Sequence, residues 1–391
     1  MRNILFIAPD FYPNNTGFAH AVTNLVDAIL EFGSTEYKIW VFTTRELGNS
    51  KEKTDVNVIR YKSNIPNNRI TYKYVQYLKA KYIQKIVENN NIDIIFFETN
   101  TFPYLQNYLL KKYKEKIVVR IHSTADTEVP VFLEPTNYFS KLCRNKVFEF
   151  MNGVSNIVST SNYYLNFVRR YFLDGNVYKM WNGKNYGLIY NTVGGDKHNS
   201  YINRNTFMTM GKMSYNGVTQ KGMEDLINAV FIMKKRGKLP QDFILYIIGD
   251  GDYVGKINKL ISLYLLDNYV KIIKKLDHDE VFELMAKCKA IILLSRYEGQ
   301  SMFITEALAN GKPIIISDNN GMQDMIINDY NGKIVQTGNP EEAAKVLSDF
   351  INLNDEVIEK YGNNSLALYR SQYSTKAIFN QFNDLINRIM L

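Results

Sequence analysis

Residues 290–317, "AIILLSRYEGQSMFITEALANGKPIIIS", contain the pattern that decides the fold. The segment reads as a buried strand, a short loop, an apolar helix and a second buried strand. Buried strands that alternate with helices are typical of a parallel sheet covered on both faces. Two glutamates stand out in this segment, Glu298 in the loop and Glu306 in the helix, with seven residues between them.

The same alternation of strands and helices extends over the whole chain. Apolar runs such as "NILFIAP", "DIIFFET" and "KIVVRIHS" alternate with helical patterns in the first half, and "NTFMTMGKM", "FILYIIGDGD" and "VKIIKKL" do so in the second. A chain of 391 residues is also too long for one ordinary hydrophobic core. We therefore predict an α/β chain of two Rossmann-like, doubly wound domains that face each other across an active-site cleft.

The predicted domain boundary lies in the polar stretch at residues 190–205. The first domain is predicted to comprise residues 1–196, joined by a C-terminal helix at 373–391. The second is predicted to comprise residues 197–372.

The composition indicates a cytoplasmic protein. The chain has two cysteines, Cys143 and Cys288, far apart and without metal-like spacing, which suits a reducing compartment. The apolar run at the start is too short for a signal peptide, and no apolar run approaches the roughly 20 residues of a spanning helix.

The positive charge lies entirely in the first half of the chain. Residues 1–200 contain 25 basic and 17 acidic residues, and the remaining residues contain 22 of each, so the first half accounts for the whole net charge of +8. Such an asymmetry indicates an anionic partner, which could be a membrane surface, a phosphorylated substrate or nucleic acid. The alternative is a solvated basic face.

Glu298 and Glu306 suit the recognition of hydroxyl groups. Gly299 and Ser301 let the backbone approach a ligand, and the helix start that follows offers N–H groups and a positive dipole end to a phosphate. A carboxylate cannot bind phosphate, but it accepts hydrogen bonds from sugar and ribose hydroxyls. The two glutamates would then bind hydroxyls on either side of a diphosphate. The alternative is a surface loop with two solvated acids.

Four other residues lie beside predicted strand ends or helix starts. Lys212 follows a strand and Lys221 precedes a helix, so the pair would neutralise a departing diphosphate. Gly17 lies after the first strand and would present backbone amides to a phosphate. His122 lies at the end of the strand "KIVVRI". On position alone, the lysines are also explained as surface residues and the histidine as a structural hydrogen-bonding group.

Together these residues resemble the retaining, nucleotide-sugar-dependent glycosyltransferases of family four, which have the GT-B fold. The segment "SRYEGQSMFITEALANGKPIIISDNNGMQDMI" is similar to that family's two glutamates seven residues apart. "GKM…KGMEDLINA" is similar to its basic pair, "IIGDGD" to its strand–turn signature, and "IYNTV" to its hinge turn. The resemblance covers nearly the whole chain and is strongest over residues 207–337. The chain departs from the family in having Lys212 where arginine is common, and a single glycine, Gly17, where many members have two.

The resemblance implies a role for each matching position. Glu306 would bind the ribose hydroxyls and Glu298 the donor sugar. His122 would lie near the reacting sugar carbon, and Lys212 and Lys221 would stabilise the departing diphosphate. The other donor-binding positions would contact the diphosphate, sugar or base: Gly17, Lys274, Lys275, Gly299, Ser301, Met302 and Phe303.

The implied function is transfer of a sugar from a nucleoside diphosphate sugar, with a UDP-sugar preferred, to an acceptor hydroxyl with retention of anomeric configuration. No cofactor or metal is expected, because lysines and helix dipoles take the metal's place and the nucleotide sugar is a co-substrate. The expected setting is assembly of a bacterial surface polysaccharide or glycoconjugate. The alternative is a catalytically silent GT-B subunit that binds and stabilises another enzyme.

Basic, tyrosine-rich helical stretches at residues 69–85 and 138–150 predict contact with an anionic membrane on the inner face of the cell. A lipid-linked sugar acceptor would fit such contact, and a soluble acceptor is the alternative. Nucleic acid is not an expected partner, because no recognised binding motif is present. The basic residues of the two stretches are Arg69, Lys73, Lys79, Lys81, Lys85, Lys141, Arg144 and Lys146.

Overall fold

The computed structural model describes residues 1–14, 16–44, 51, 53, 55–99, 102–122, 138–166, 185–195, 205–318 and 321–390. The chain divides into two compact units, Met1–Thr192 with Thr375–Leu391, and Val193–Ser374. Residues 196–204 of the predicted linker lie outside the described residues.

The first unit contains a seven-stranded sheet in which every described pairing is parallel. The strands are β1 (Arg2–Ile7), β2 (Tyr37–Thr43), β3 (Asn57–Arg60), β4 (Ile94–Phe97), β5 (Ile117–Ile121), β6 (Asn156–Ser159) and β7 (Asn185–Leu188). Their order in the sheet is β3-β2-β1-β4-β5-β6-β7. The order reverses between β1 and β4, which is the topological switch point where doubly wound sheets bind ligands.

Helices connect these strands, and one helix from the end of the chain completes the unit. They are α1 (Gly17–Gly33), α2 (Tyr72–Asn89), α3 (Pro103–Tyr113), α4 (Tyr138–Gly153) and α12 (Thr375–Met390). Thr16 begins α1 by accepting a hydrogen bond from the N–H of Ala19. Gly33 ends α1 where a Cβ atom would meet the ring of Phe379 at 2.5 Å, so this glycine lets α12 pack closely.

The second unit contains a six-stranded parallel sheet. The strands are β8 (Thr206–Met210), β9 (Ile244–Ile248), β10 (Val270–Ile273), β11 (Ala290–Leu293), β12 (Ile314–Ser317) and β13 (Gly332–Val335). Their order is β10-β9-β8-β11-β12-β13, with the switch point between β8 and β11. The prediction of two doubly wound α/β domains is confirmed.

The helices of the second unit are α5 (Tyr215–Gln220), α6 (Met223–Lys235), α7 (Val254–Leu263), α8 (His278–Lys287), α9 (Met302–Ala309), α10 (Pro340–Ile351) and α11 (Asp355–Leu368), followed by a π-helical turn at Tyr369–Tyr373. Their apolar faces, with the inner strands, form one buried core. Of the helices in the described ranges, none is long and apolar enough to span a membrane.

The structure changes the predicted basic surface of the first unit. Lys79 is buried rather than exposed, its ammonium lies 5.5 Å from the ring centre of Phe102, and burial lowers its pKa. Its helical position lies on the buried face of α2, so it is not available to contact a membrane. Arg144 is half-buried, whereas Lys73, Lys81 and Lys85 are exposed on α2. The side chain of Lys141 lies outside the described residues.

Candidate active site

The switch point of the second sheet is flanked by two predicted site residues. Lys212 lies two residues after β8, and Glu298 lies five residues after β11. Lys212 is exposed, and within the described ranges no ion pair is found for it. β8 and β11 are paired in the sheet. The loop that carries Lys212 and the loop that carries Glu298 therefore begin at neighbouring strands.

Lys221 and Glu298 form an ion pair in this region. The Lys221 ammonium donates to Glu298 Oε2, which also accepts a hydrogen bond from the Ser295 hydroxyl at 3.3 Å. The two charged side chains are only 19% and 14% exposed. A Cβ atom on Gly211 would lie 2.8 Å from Lys221 Cγ, so the lysine stem packs over the residue before Lys212. The structure thus brings Lys221 and Glu298 together and places both beside the loop of Lys212.

Gly222 holds this arrangement in place. It has a positive φ of 62°, and a Cβ atom there would lie 2.1 Å from the carbonyl oxygen of Leu294. Only glycine permits both the left-handed backbone and this close approach. Gly222 therefore fixes the start of α6, and with it Lys221, against the loop that follows β11.

The helix α9 places Glu306 next to its own first turn. The Ser301 side chain caps α9 by accepting from the N–H of Ile304, so Met302 and Phe303 occupy the first turn, where N–H groups have no helical acceptor. Glu306 is 8% exposed, and its Oε2 atom is buried and has no hydrogen-bond partner among the described residues. A buried carboxylate oxygen without a partner is costly, and a ligand hydroxyl would relieve that cost.

The start of α8, which follows the loop after β10, approaches Glu306 through a residue that the sequence did not indicate. His278 Nε2 lies 3.5 Å from Glu306 Oε1, and the His278 ring packs against Phe282 with 4.7 Å between ring centres. Lys274 and Lys275 are exposed in the same loop. A histidine at the start of a helix has no distinctive pattern, so sequence reasoning could not separate His278 from an ordinary surface residue.

The first unit has a buried cluster of charged residues at its own switch point. Glu98 follows β4 and is fully buried. Its Oε2 atom lies 2.6 Å from His122 Nε2 and 3.3 Å from Arg120 Nη1. Burial raises the pKa of Glu98, but the charge of Arg120 and the hydrogen bond to His122 lower it more, so the net shift is downward. His122 is 9% exposed, and its ring packs against Phe18 with 4.9 Å between ring centres.

Gly17 is connected to this cluster through the next residue of α1, Phe18, which contacts His122. It is the first residue of α1, immediately before Phe18, and a Cβ atom there would have nothing within 4 Å. The residue is exposed, so the space beside it is open. The structure thus brings the start of α1 close to His122 through Phe18.

The chain contains two Asp-x-Asp triplets, at residues 250–252 and 277–279, whose carboxylates are candidate metal ligands. Asp250 accepts a hydrogen bond from the N–H of Gly251 at 2.9 Å, and Asp277 caps α8. Over the described ranges, no group of three or more His, Cys, Asp or Glu side chains could hold a metal ion.

Known proteins resemble both units. Residues 196–366 match the family model described as glycosyl transferases group 1. An uncharacterized glycosyltransferase of Methanocaldococcus jannaschii is 26% identical over 358 residues, which cover 90% of each chain. The poly(ribitol-phosphate) alpha-N-acetylglucosaminyltransferase of Staphylococcus aureus is 22% identical over 323 residues, which cover 82% of this chain and 60% of that protein. The Anabaena protein HepE, solved in complex with UDP, matches with a TM-score of 0.72 at 18% identity and covers 99% of this chain and 100% of that one.

The fold is GT-B. The family match and the relatives support a glycosyltransferase of the GT-B type. Within this GT-B chain, Glu298, Glu306 and Lys221 lie in the matched region, whereas Gly17 and His122 lie in the first unit. Sequence reasoning also missed Glu98 and Arg120, since a charged residue inside an apolar strand pattern was the only signal for them.

Proposed function

We propose that the chain transfers a sugar from a nucleoside diphosphate sugar to an acceptor hydroxyl, with retention at the anomeric carbon. The observation that carries this proposal is the buried Glu306 Oε2 atom, which has no partner among the described residues. A ribose hydroxyl is a neutral donor of the right kind for such an oxygen. The complex of HepE with UDP supports a UDP-sugar as the donor.

The first turn of α9 is the proposed diphosphate-binding element. Ser301, Met302 and Phe303 would present backbone N–H groups at the positive end of the helix dipole, and Gly299, which is buried in the preceding loop, is assigned to the same ligand. Glu306 lies one turn further along the same helix. One short helix therefore offers both a phosphate site and a ribose site, and the backbone at Lys274 and Lys275 is assigned to the base.

Lys221 is the proposed electrostatic partner of the departing diphosphate. In the structure its charge is balanced by Glu298. A bound donor would let Glu298 accept from sugar hydroxyls while Lys221, with Lys212, stabilises the negative charge that develops on the diphosphate. The lysines and the α9 dipole would then serve without a metal or other cofactor.

The first unit is the proposed acceptor domain. Gly17 and His122 lie at the carboxyl side of its sheet, and we assign His122 to the reacting sugar. A groove of 270 Å³ between α2, α3 and α4 is lined by tyrosines and lysines, including Tyr77, Tyr108 and Lys111. Such a surface suits the anionic headgroups of a membrane, which favours a lipid-linked acceptor in polysaccharide assembly and a peripheral location on the cytoplasmic side. The Staphylococcus relative, which is named for a polymeric acceptor, supports this setting.

Release of the nucleotide from candidate donors tests the proposed function. The purified chain is incubated with UDP-, GDP- and ADP-sugars, and the free nucleoside diphosphate is measured with and without acceptor extracts. Release from at least one donor that is lost in Glu298→Gln is the expected result. If the chain releases no nucleotide from any donor and yet binds another protein, the silent-subunit alternative is favoured instead.

A further inference from the structure

Glu98, Arg120 and His122 form a buried cluster in the first unit. The proposed function gives a role to His122 but none to Glu98 or Arg120. Glu98 and Arg120 are both fully buried. Arg120 donates to the carbonyl oxygens of Ile189 and Tyr190 and, at 2.8 Å, to the side chain of Asn191, so its position is fixed independently of Glu98. Hydrogen bonds therefore hold the charged side chains of this cluster in place at the carboxyl ends of β4 and β5.

The charges in this cluster decide how His122 is held. The positive charge of Arg120 offsets the negative charge of Glu98, so the buried cluster is neutral overall when the imidazole is neutral. An ionised carboxylate has no proton and can only accept hydrogen bonds. Because Glu98 Oε2 lies 2.6 Å from His122 Nε2, the ring must carry its proton on Nε2.

We propose that Glu98 is a positioning residue for His122, which selects the Nε2–H tautomer and sets the orientation of the ring. In that tautomer Nδ1 carries the lone pair and can only accept a hydrogen bond. Phe18 packs against the ring and restricts its rotation. The Thr160 hydroxyl donates to the His122 carbonyl oxygen at 3.3 Å and so holds the backbone of His122. The inference rests on the proposed function, in which His122 meets the reacting sugar.

A double-mutant cycle separates positioning from a merely structural role. Glu98→Gln and Glu98→Asp are each made in the natural chain and in the His122→Ala background, with UDP-glucose as the probe and UDP release as the readout. Glu98→Asp keeps the charge that Arg120 requires but shortens the reach to His122, so it carries the test if Glu98→Gln fails to fold. Glu31→Gln, an exposed glutamate on α1 of the same unit, is the matched control.

Each Glu98 variant should lower kcat by about 10- to 100-fold with little change in the KM for UDP-glucose, because outer partners of a functional histidine have effects of that size. In the His122→Ala background the same changes should cause no further loss. An equal further loss in that background would overturn the proposal, since Glu98 would then act through something other than His122.

Nitrogen NMR tests the tautomer without any need for activity. The chain has four histidines, so ¹⁵N-histidine labelling with His122→Asn as the reference identifies the His122 signals. We expect the natural protein to show Nε2–H for His122, and an Nδ1–H signature would overturn the proposal. If the tautomer is as expected but no donor is cleaved, the failure belongs to the proposed function and the Glu98–His122 pair stands.

Discussion

Lys221 and Glu298 form an ion pair between two loops of the second unit, beside the carboxyl ends of the inner strands β8 and β11. The pair is mostly buried, so either partner left alone would carry an uncompensated charge in a partly desolvated place. A bound diphosphate would supply that compensation for Lys221. In the proposed function, a bound anion would therefore replace Glu298 as the partner of Lys221.

Lys221→Ala should lower turnover far more than it weakens donor binding. Loss of one contact to developing charge typically reduces kcat by about 100- to 1000-fold. Steady-state kinetics with UDP-glucose measure the effect, and Lys221→Arg should recover part of it because the charge is kept. Lys259→Ala, an exposed lysine on α7, is the control. Natural turnover in a folded Lys221→Ala protein would remove Lys221 from this role.

Lys312 predicts a pH dependence of stability that is separate from the site. Burial lowers its pKa to about 8. The folded state releases this proton near pH 8 and the unfolded state near 10.5, so the cost of burying the charge is present below pH 8 and is relieved as pH rises through that window. Between pH 7 and 9.5 the free energy of unfolding of the natural protein should rise by about 2 kcal/mol relative to Lys312→Met. Urea unfolding at both values measures it, and a constant difference between the two proteins would contradict the account.

The element scale shows what sequence patterns can and cannot predict. Buried strands and amphipathic helices were predictable because their apolar periodicity is local, and the apolar run that carries Glu306 predicted α9. The partners of these side chains were not predictable, because Lys221 and Glu298 meet only through the pairing of β8 with β11. Lys79 was placed on the surface for a similar reason: its charge was counted, whereas its helical phase buries it.

A glycine substitution tests whether the start of α6 is held against the loop that follows β11. Gly222→Ala should lower the free energy of unfolding by at least about 1–2 kcal/mol, because the alanine would adopt a left-handed backbone and its Cβ would strike Leu294. Thermal unfolding measures the change. Gly255→Ala in α7 is the control, since a Cβ there meets nothing within 4 Å and should leave stability equal or higher. An unaffected melting temperature in Gly222→Ala would show that the two loops are not held as described.

At the scale of the whole molecule, α2 carries part of the positive charge that the sequence places in the first half of the chain. We name Lys73, Lys81 and Lys85 the α2 lysine row; all three are exposed, and exposed Tyr74 and Tyr82 accompany them. Each basic residue near an anionic surface contributes on the order of 1 kcal/mol at low salt. Three lysines and neighbouring aromatic rings would give reversible attachment.

Reversal of the α2 lysine row to glutamate should weaken binding to anionic vesicles by at least about 100-fold at low salt, because three attractive charges are lost and three repulsive ones are added. Co-sedimentation with neutral and anionic vesicles over a salt series measures it, and moderate salt should also release the natural protein. Reversal of Lys259, Lys345 and Lys360 in the second unit is the matched control. Equal recovery of the natural protein in the supernatant with both lipids would favour a soluble acceptor.

Calorimetric titration with UDP tests the central claim, the nucleotide site at Glu306, most directly. The natural protein should bind UDP, and Glu306→Gln should bind it about 10- to 100-fold more weakly, because hydrogen bonds to a charged group contribute about 1.5–3 kcal/mol. Glu283→Gln, an exposed glutamate on α8, should bind as the natural protein does. Undiminished UDP affinity in Glu306→Gln, or no binding of UDP, GDP or ADP by the natural protein, would contradict the account.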